Sequence, residues 1–182
     1  MEHYYQNIGE NWFDYGDLYS SIVLKYPNGS HFVEVGSWKG RSAVYMGVEI
    51  YNSQKNIKFD CVDTWKGSPE VESHMNDPAV KEDKLYEVFL ENIKPLSSII
   101  IPIKNTSVEA SKLYKEKSLQ FVFIDASHEY EFIKEDIQHW LPKIAPGGIL
   151  AGHDCNYGPV DRAINELLPG VKKSGSCWIF EL

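Results

Sequence analysis

Five short apolar runs, rich in β-branched and aromatic residues, alternate along this chain with segments of helical period, and that alternation limits the folds open to it. The runs are "HFVEV" at 31–35, "IKFDCV" at 57–62, "SIIIPI" at 98–103, "LQFVFI" at 119–124 and "GILAG" at 148–152. They lack a strict apolar–polar alternation, as expected of strands covered on both faces. Between them apolar residues return at helix spacing: Leu18, Ile22, Val23 and Tyr26; Ala43, Val44, Val48 and Tyr51; Leu85, Val88, Phe89 and Ile93; Ile133, Ile137, Trp140, Leu141 and Ile144; Val160, Ala163, Ile164, Leu167 and Leu168. Pro159 suits a first helical turn, "PG" at 169–170 ends that helix, and Thr106 with Glu109 has capping-box spacing. Strands alternating with helices predict an α/β fold with a mostly parallel sheet.

In open sheets of this kind ligands bind beyond the carboxyl ends of the strands. Asp125 closes the run 119–124, with His128 three residues on, and His153 and Asp154 close the run 148–152. Folding alone gives little reason to place carboxylates and imidazoles there. Each has a plainer reading: Asp125 as a helix cap, His128 as a first-turn residue, His153 and Asp154 as a structural hydrogen-bonded pair.

The net charge of −8 argues against a nucleic-acid partner and against docking on an anionic membrane, since both need clustered Lys and Arg. No apolar run approaches the ~20 residues of a membrane span, and the polar, acidic start "MEHYYQNIGENW" does not read as a signal peptide. Cys61, Cys155 and Cys177 are scattered and odd in number, which suggests no disulfide framework and a reducing, cytoplasmic setting. The 182 residues suit one domain, with a helical segment over 1–30 and a lid-like insertion followed by a helix over 64–95.

"VEVGSWKGRS" at 33–42 is a strand, a turn with Gly36 and Gly40, and a helix start. Glycine lets backbone approach a ligand, and a helix N-terminus favours negative charge. Trp38 stands where a dinucleotide motif has its second glycine and would crowd a pyrophosphate. Asp63 ends the second strand, where an acid can accept hydrogen bonds from ribose hydroxyls or cap the following turn. A glycine turn, an acid at strand two and no phosphate glycine suggest a nucleoside cofactor lacking pyrophosphate. Glu34 suits a positively charged one.

Taken in series, "FVEVGSWKGRS", "CVDTW", "FIDASHEY", "DIQHWLPKIAPGG" and "GHD" resemble the class I S-adenosylmethionine-dependent methyltransferases. More narrowly, they resemble methyltransferase family 24, related to the macrolide-sugar O-methyltransferases. The resemblance covers about residues 30–165. It implies a Rossmann-like three-layer sandwich of about seven strands, the last one, in "SGSCWIFEL", antiparallel. It also implies a cofactor, S-adenosylmethionine, lined by Glu34, Gly36, Ser37, Trp38, Gly40, Ser42, Asp63, Thr64, Trp65, Thr106, Ser107 and Asp125. The Asp-x-x-His pair, Asp125 and His128, corresponds to catalytic residues, one a metal ligand and the other a base. Asp125, His153 and Asp154 correspond to a ligand set for Mg²⁺ or Mn²⁺. His153 departs from the pattern, because an imidazole replaces one of two carboxylates. The implied activity is O-methylation of a small molecule or sugar hydroxyl. The oligomeric state stays open, a homo-oligomer included.

Two other functions use some of the same residues. A nicotinamide-dependent oxidoreductase also has a glycine turn and an acid at strand two, but the second glycine and a Tyr-x-x-x-Lys pair are missing. A non-catalytic cofactor-binding domain needs neither His128 nor Asp125. Outside the motifs, His74 is expected to face solvent, His139 the surface and Trp140 the core. Trp12, Phe13 and Tyr15 are expected either to close over a ligand or to staple the first helix.

Overall fold

The computed structural model describes residues 1–182. In chain order its elements are α1 (Gly16–Lys25), β1 (His31–Val35), α2 (Arg41–Ser53), β2 (Lys58–Asp63), α3 (Glu72–Asn76), α4 (Pro78–Lys81) and α5 (Leu85–Ile93). There follow β3 (Ile100–Lys104), α6 (Ser107–Ser111), β4 (Leu119–Ile124), α7 (Tyr130–Trp140), β5 (Ile144–Gly152), α8 (Gly158–Leu167), β6 (Lys172–Ser174) and β7 (Cys177–Glu181). The strands form one sheet in the order β3-β2-β1-β4-β5-β7-β6. The first five pair in parallel, and β7 runs antiparallel to both β5 and β6. "GVKK" therefore contributes a strand of its own, and β7 lies one place inside the edge.

Both faces of the sheet are covered, which is why its strands read as apolar runs. Phe32, Phe59, Cys61, Phe121 and Phe123 point into a core shared with α1, α2 and α5. Val33, Val35, Val62, Val122, Ile124 and Leu150 point the other way, toward α6, α7 and α8. Alternate residues of each strand thus serve opposite cores. The rule weakens at β3, which has only β2 beside it and leaves Ile101 47% exposed. Pro102, which has no N–H to donate, is tolerated on such an edge.

Three helical patterns differ from expectation. Ile144, counted with the helix before it, opens β5 instead, because Pro142 cannot continue α7. The apolar spacing over 80–93 is split into α4 and α5, because Asp83 adopts φ +54° and ends the first turn. An Asp in the left-handed region closes a helix much as glycine does. Of the Thr106–Glu109 box only one half forms, Thr106 Oγ1 accepting from the Glu109 N–H. Trp140 is fully buried as expected, and α8 ends before Gly170 at φ +86°.

The chain leaves β1 for β2 and β3, then returns to place β4 on the other side of β1. This reversal opens a crevice at the carboxyl ends of β1 and β4, the place where open α/β sheets bind ligands. Gly36, Asp63, Asp125 and His153 all follow or end strands there. Trp65 comes directly after that rim but turns inward, 2% exposed against Tyr86 and Phe89. Trp65→Ala is expected to lower unfolding free energy by about 3–5 kcal/mol, read from urea denaturation.

Candidate active site

The glycine turn is held by three constraints. Gly36 has φ +89°, and a Cβ there would stand 2.0 Å from the Asp125 carbonyl oxygen. The ends of β1 and β4 can meet only over a residue without a side chain. Gly40, at φ +90°, opens α2 with its missing side chain against Phe89. The third constraint is Asp63. Its Oδ2 accepts from the backbone N–H groups of Ser37 and Trp38 at 2.9 and 2.8 Å, and its Oδ1 accepts from the Trp65 N–H at 2.7 Å. Beneath the turn Glu34 is wholly buried; one oxygen accepts from the Tyr19 hydroxyl at 2.7 Å and the other has no partner. Burial raises its pKa to about 7, against the pull of the Tyr19 bond. The Ser37 hydroxyl is likewise buried and unpartnered.

At the ends of β4 and β5, one ligand atom each from Asp125, His128 and Asp154 lies within 4.8 Å of the others. His128 Nε2 is 2.7 Å from Asp154 Oδ2. His153 faces the same carboxylates through Nδ1, 3.2 Å from Asp154 and 3.7 Å from Asp125, while its Nε2 is 3.1 Å from Asp14. It is not one of the three converging groups. The Tyr15 hydroxyl donates to Asp125 Oδ2 at 3.0 Å and so orients that carboxylate. Asp154 itself sits at φ +57°.

The electrostatics follow from this packing. The hydrogen bond to Asp154 raises the His128 pKa above its ordinary value. Burial alone lowers that of His153, but Asp154 and Asp125 beside it raise it to about 9. Burial works against the Asp154 charge, yet His128 and His153 hold its carboxyl well below the usual range. Burial, with the Asp154 charge adding to it, pushes Asp125 up. Two carboxylates and an imidazole that share protons in this way also make a donor set suited to a divalent ion. Asp125 and Asp154 would hold such an ion, and the neighbouring cavity leaves room for further ligands.

Two cavities meet over this rim. The larger, about 490 Å³, is lined by Tyr15, Gly36, Ser37, Trp38, Ser42, Asp125, His128, His153 and Asp154, with Trp12 and Phe13 on its wall. The smaller, about 130 Å³, is lined by Val62, Asp63, Thr64, Asn105 and Ser107. Gly36, Trp38, His74, Asp125 and Ala126 border both. Among the anticipated cofactor contacts, Gly40, Glu34, Trp65 and Thr106 line neither cavity. Gly40 and Glu34 support the turn, Trp65 is core, and Thr106 caps α6. Ser107 accepts from Trp140 Nε1 at 2.8 Å. His74, expected in solvent, is stacked on Trp38 with ring centroids 4.0 Å apart, because the segment 64–81 folds back over the turn. Trp12, Phe13 and Tyr15 line the larger cavity, and Phe13 and Tyr15 also pack on Tyr19 of α1. The tie from Tyr15 to Asp125 spans 110 positions and carried no local signal.

The mostly parallel sheet thus carries a glycine turn after β1, an acid ending β2 and a polar cluster at the ends of β4 and β5. Comparison with known proteins identifies the class. The family described as a methyltransferase domain, methyltransferase family 24, matches residues 33–155, more than half of the chain. The chain belongs to that family and to the S-adenosylmethionine-dependent methyltransferases. It is 23% identical over 122 residues to the Sinorhizobium fredii protein y4gI, and the match spans 13% of that protein's length. Similar folds include the O-methyltransferase NovP (TM-score 0.67, 15% identity, 91% of this chain and 78% of that one). The calicheamicin methyltransferase CalS11 (0.66, 14%, 91% and 76%) is another. So is an S-adenosylmethionine-dependent O-methyltransferase of Thermotoga maritima (0.65, 13%, 97% and 68%). No helix is long and apolar enough to cross a membrane.

The raised pKa of His153 gives a stability signature. The folded chain holds this proton more tightly than the unfolded chain, so the contribution is complete below an ordinary histidine pKa and is lost as pH rises to about 9. In chelator-treated protein, Tm is expected to fall across that window, and His153→Gln to flatten the fall; differential scanning fluorimetry against pH measures both.

Proposed function

We propose that the chain transfers a methyl group from S-adenosylmethionine to a hydroxyl of a small molecule or sugar, with His128 as the base and with Asp125 and Asp154 as the carboxylates that would hold a divalent ion beside it. The observation that carries this reading is the convergence of those three side chains on the wall of the larger cavity, beside the glycine turn. The O-methyltransferases of similar fold add support.

The bound cofactor supplies an electrophilic methyl group on a sulfonium, and a bound Mg²⁺ or Mn²⁺ supplies a Lewis acid that lowers an acceptor hydroxyl's pKa. The protein's own part is orientation and proton handling. Gly36 and Ser37 leave the turn open to the methionine portion, and Val62, Asn105 and Ser107 frame a slot for the adenine. Tyr15 holds one oxygen of Asp125, leaving the other free to face the cluster. Asp154 fixes the His128 ring through Nε2. A His128 that has given up its proton to solvent is neutral and can take one from a hydroxyl in the cavity. Trp12, Phe13 and Trp38 line the cavity in which the acceptor would lie.

Methyl transfer to a panel of phenolic and sugar hydroxyls, followed by mass spectrometry with Mg²⁺, Mn²⁺ or chelator, tests the reading. His128→Gln is expected to lower kcat by about 10²–10⁴-fold while S-adenosylhomocysteine still binds. A product methylated on nitrogen or carbon, or a His128→Gln variant of wild-type rate, contradicts it. Asp125→Asn is expected to weaken Mn²⁺ binding, followed by electron paramagnetic resonance, by about tenfold or more.

A further inference from the structure

The segment before α1 runs along the larger cavity and is pinned on both sides of Trp12. Ahead of it, Arg41 Nη1 donates to the Ile8 carbonyl at 3.1 Å and Arg41 Nη2 donates to Asn11 Oδ1 at 2.7 Å. Behind it, Asp14 Oδ1 accepts from the Ser176 hydroxyl at 2.7 Å and lies 3.1 Å from His153 Nε2, and Tyr15 is tied to Asp125. Between these anchors the Trp12 indole lines the cavity yet stays 48% exposed. Its ring centroid is 5.4 Å from that of His74 and 6.3 Å from that of Trp38, tilted against both, so its neighbours brace it without covering it. Folding gains little from a large indole left half in water. A rigid aromatic on a cavity wall is a surface on which a flat ligand stacks at small cost in ordering.

The charges on the same wall are already engaged. Lys39 Nζ donates to Glu10 Oε1 at 3.0 Å and to Asp77 Oδ2 at 2.5 Å, and the other Glu10 oxygen accepts from Trp38 Nε1 at 2.9 Å. Arg41 spends both terminal nitrogens on the N-terminal segment, and its Nε is buried. His128 and His153 pair with Asp154 and Asp14. A phosphate or carboxylate on the acceptor would therefore meet no free cation on this wall, and burying it unpaired is costly. A sugar ring fares little better, because Glu10, Lys39, Arg41 and Tyr15 have few positions left for its hydroxyls. A phenol asks for one polar contact, at the hydroxyl itself. Its pKa of about 10 also lies nearer an imidazole's than an aliphatic alcohol's does.

We infer that Trp12 is a specificity-determining residue, the platform on which an uncharged aryl compound stacks with its hydroxyl toward His128. The inference deepens the O-methylation reading and rests on it. The phenol oxygen yields its proton to His128 and gains the methyl carbon, whose bond to sulfur breaks.

Kinetics with five acceptors test it: catechol, naphthol, protocatechuate as a carboxylated catechol, methyl rhamnoside and thymidine diphosphate rhamnose. Catechol and naphthol are expected to exceed the other three in kcat/KM by about tenfold or more. Trp12→Ala is expected to raise KM for both about tenfold, more than it lowers kcat, with Trp12→Phe recovering part of the loss. Calorimetry supplies a second readout. Naphthol should bind the S-adenosylhomocysteine complex of Trp12→Ala about tenfold more weakly than that of wild type, while S-adenosylhomocysteine itself binds both alike. An unchanged KM and naphthol affinity in Trp12→Ala, or a rhamnoside or charged compound as the best acceptor, overturns the inference and leaves O-methylation standing. Transfer to none of the five overturns both.

Discussion

The approach of β1 and β4 at their carboxyl ends is the constraint on which the rest depends. Gly36 crosses directly over the Asp125 carbonyl, and no side chain fits between them. That contact sets the crevice at the reversal of strand order. It brings the backbone amides of the turn after β1 within reach of the Asp63 carboxylate and brings Asp125 to the wall of the larger cavity. Tyr15 then reaches Asp125 from the segment before α1, and the N-terminal aromatics close that wall.

Charge at this rim is arranged rather than merely present. Asp154 is shared by two imidazoles, Asp125 is steadied by a phenol, and Glu34 lies buried beneath the turn with a single phenolic donor. Buried carboxylates are costly unless hydrogen-bonded, and each of these keeps one oxygen or one partner that an ion or ligand could exchange for. Such half-committed groups are expected at a functional site and have little use in a core. Asp63 also accepts from three backbone amides, which ties the glycine turn to the end of β2 on the wall of the smaller cavity.

Much of the architecture was legible because burial on both faces leaves a periodicity that reads directly. The apolar runs became β1 to β5, and the helices appeared where spacing placed them. The exceptions were local. Asp83 broke one helix by a backbone angle that its residue type permits without dictating, and β3 lay at an edge, which depends on strand order. Within the site, the strand-end positions of Gly36, Asp63, Asp125 and Asp154 were readable. The inward turn of Trp65 and the stacking of His74 on Trp38 were not, because both depend on how the segment 64–81 folds back.

The sequence alone determined the layered α/β plan and the chemical types at the strand ends, since both follow from period and from the order of residues along each run. Only the tertiary structure decided which of those groups meet. Asp125 with Tyr15, His128 with Asp154, His153 with Asp14 and His74 with Trp38 are partners brought together by packing. Their hydrogen bonds and stacks join elements far apart in the chain, and no local propensity encodes the distance between them.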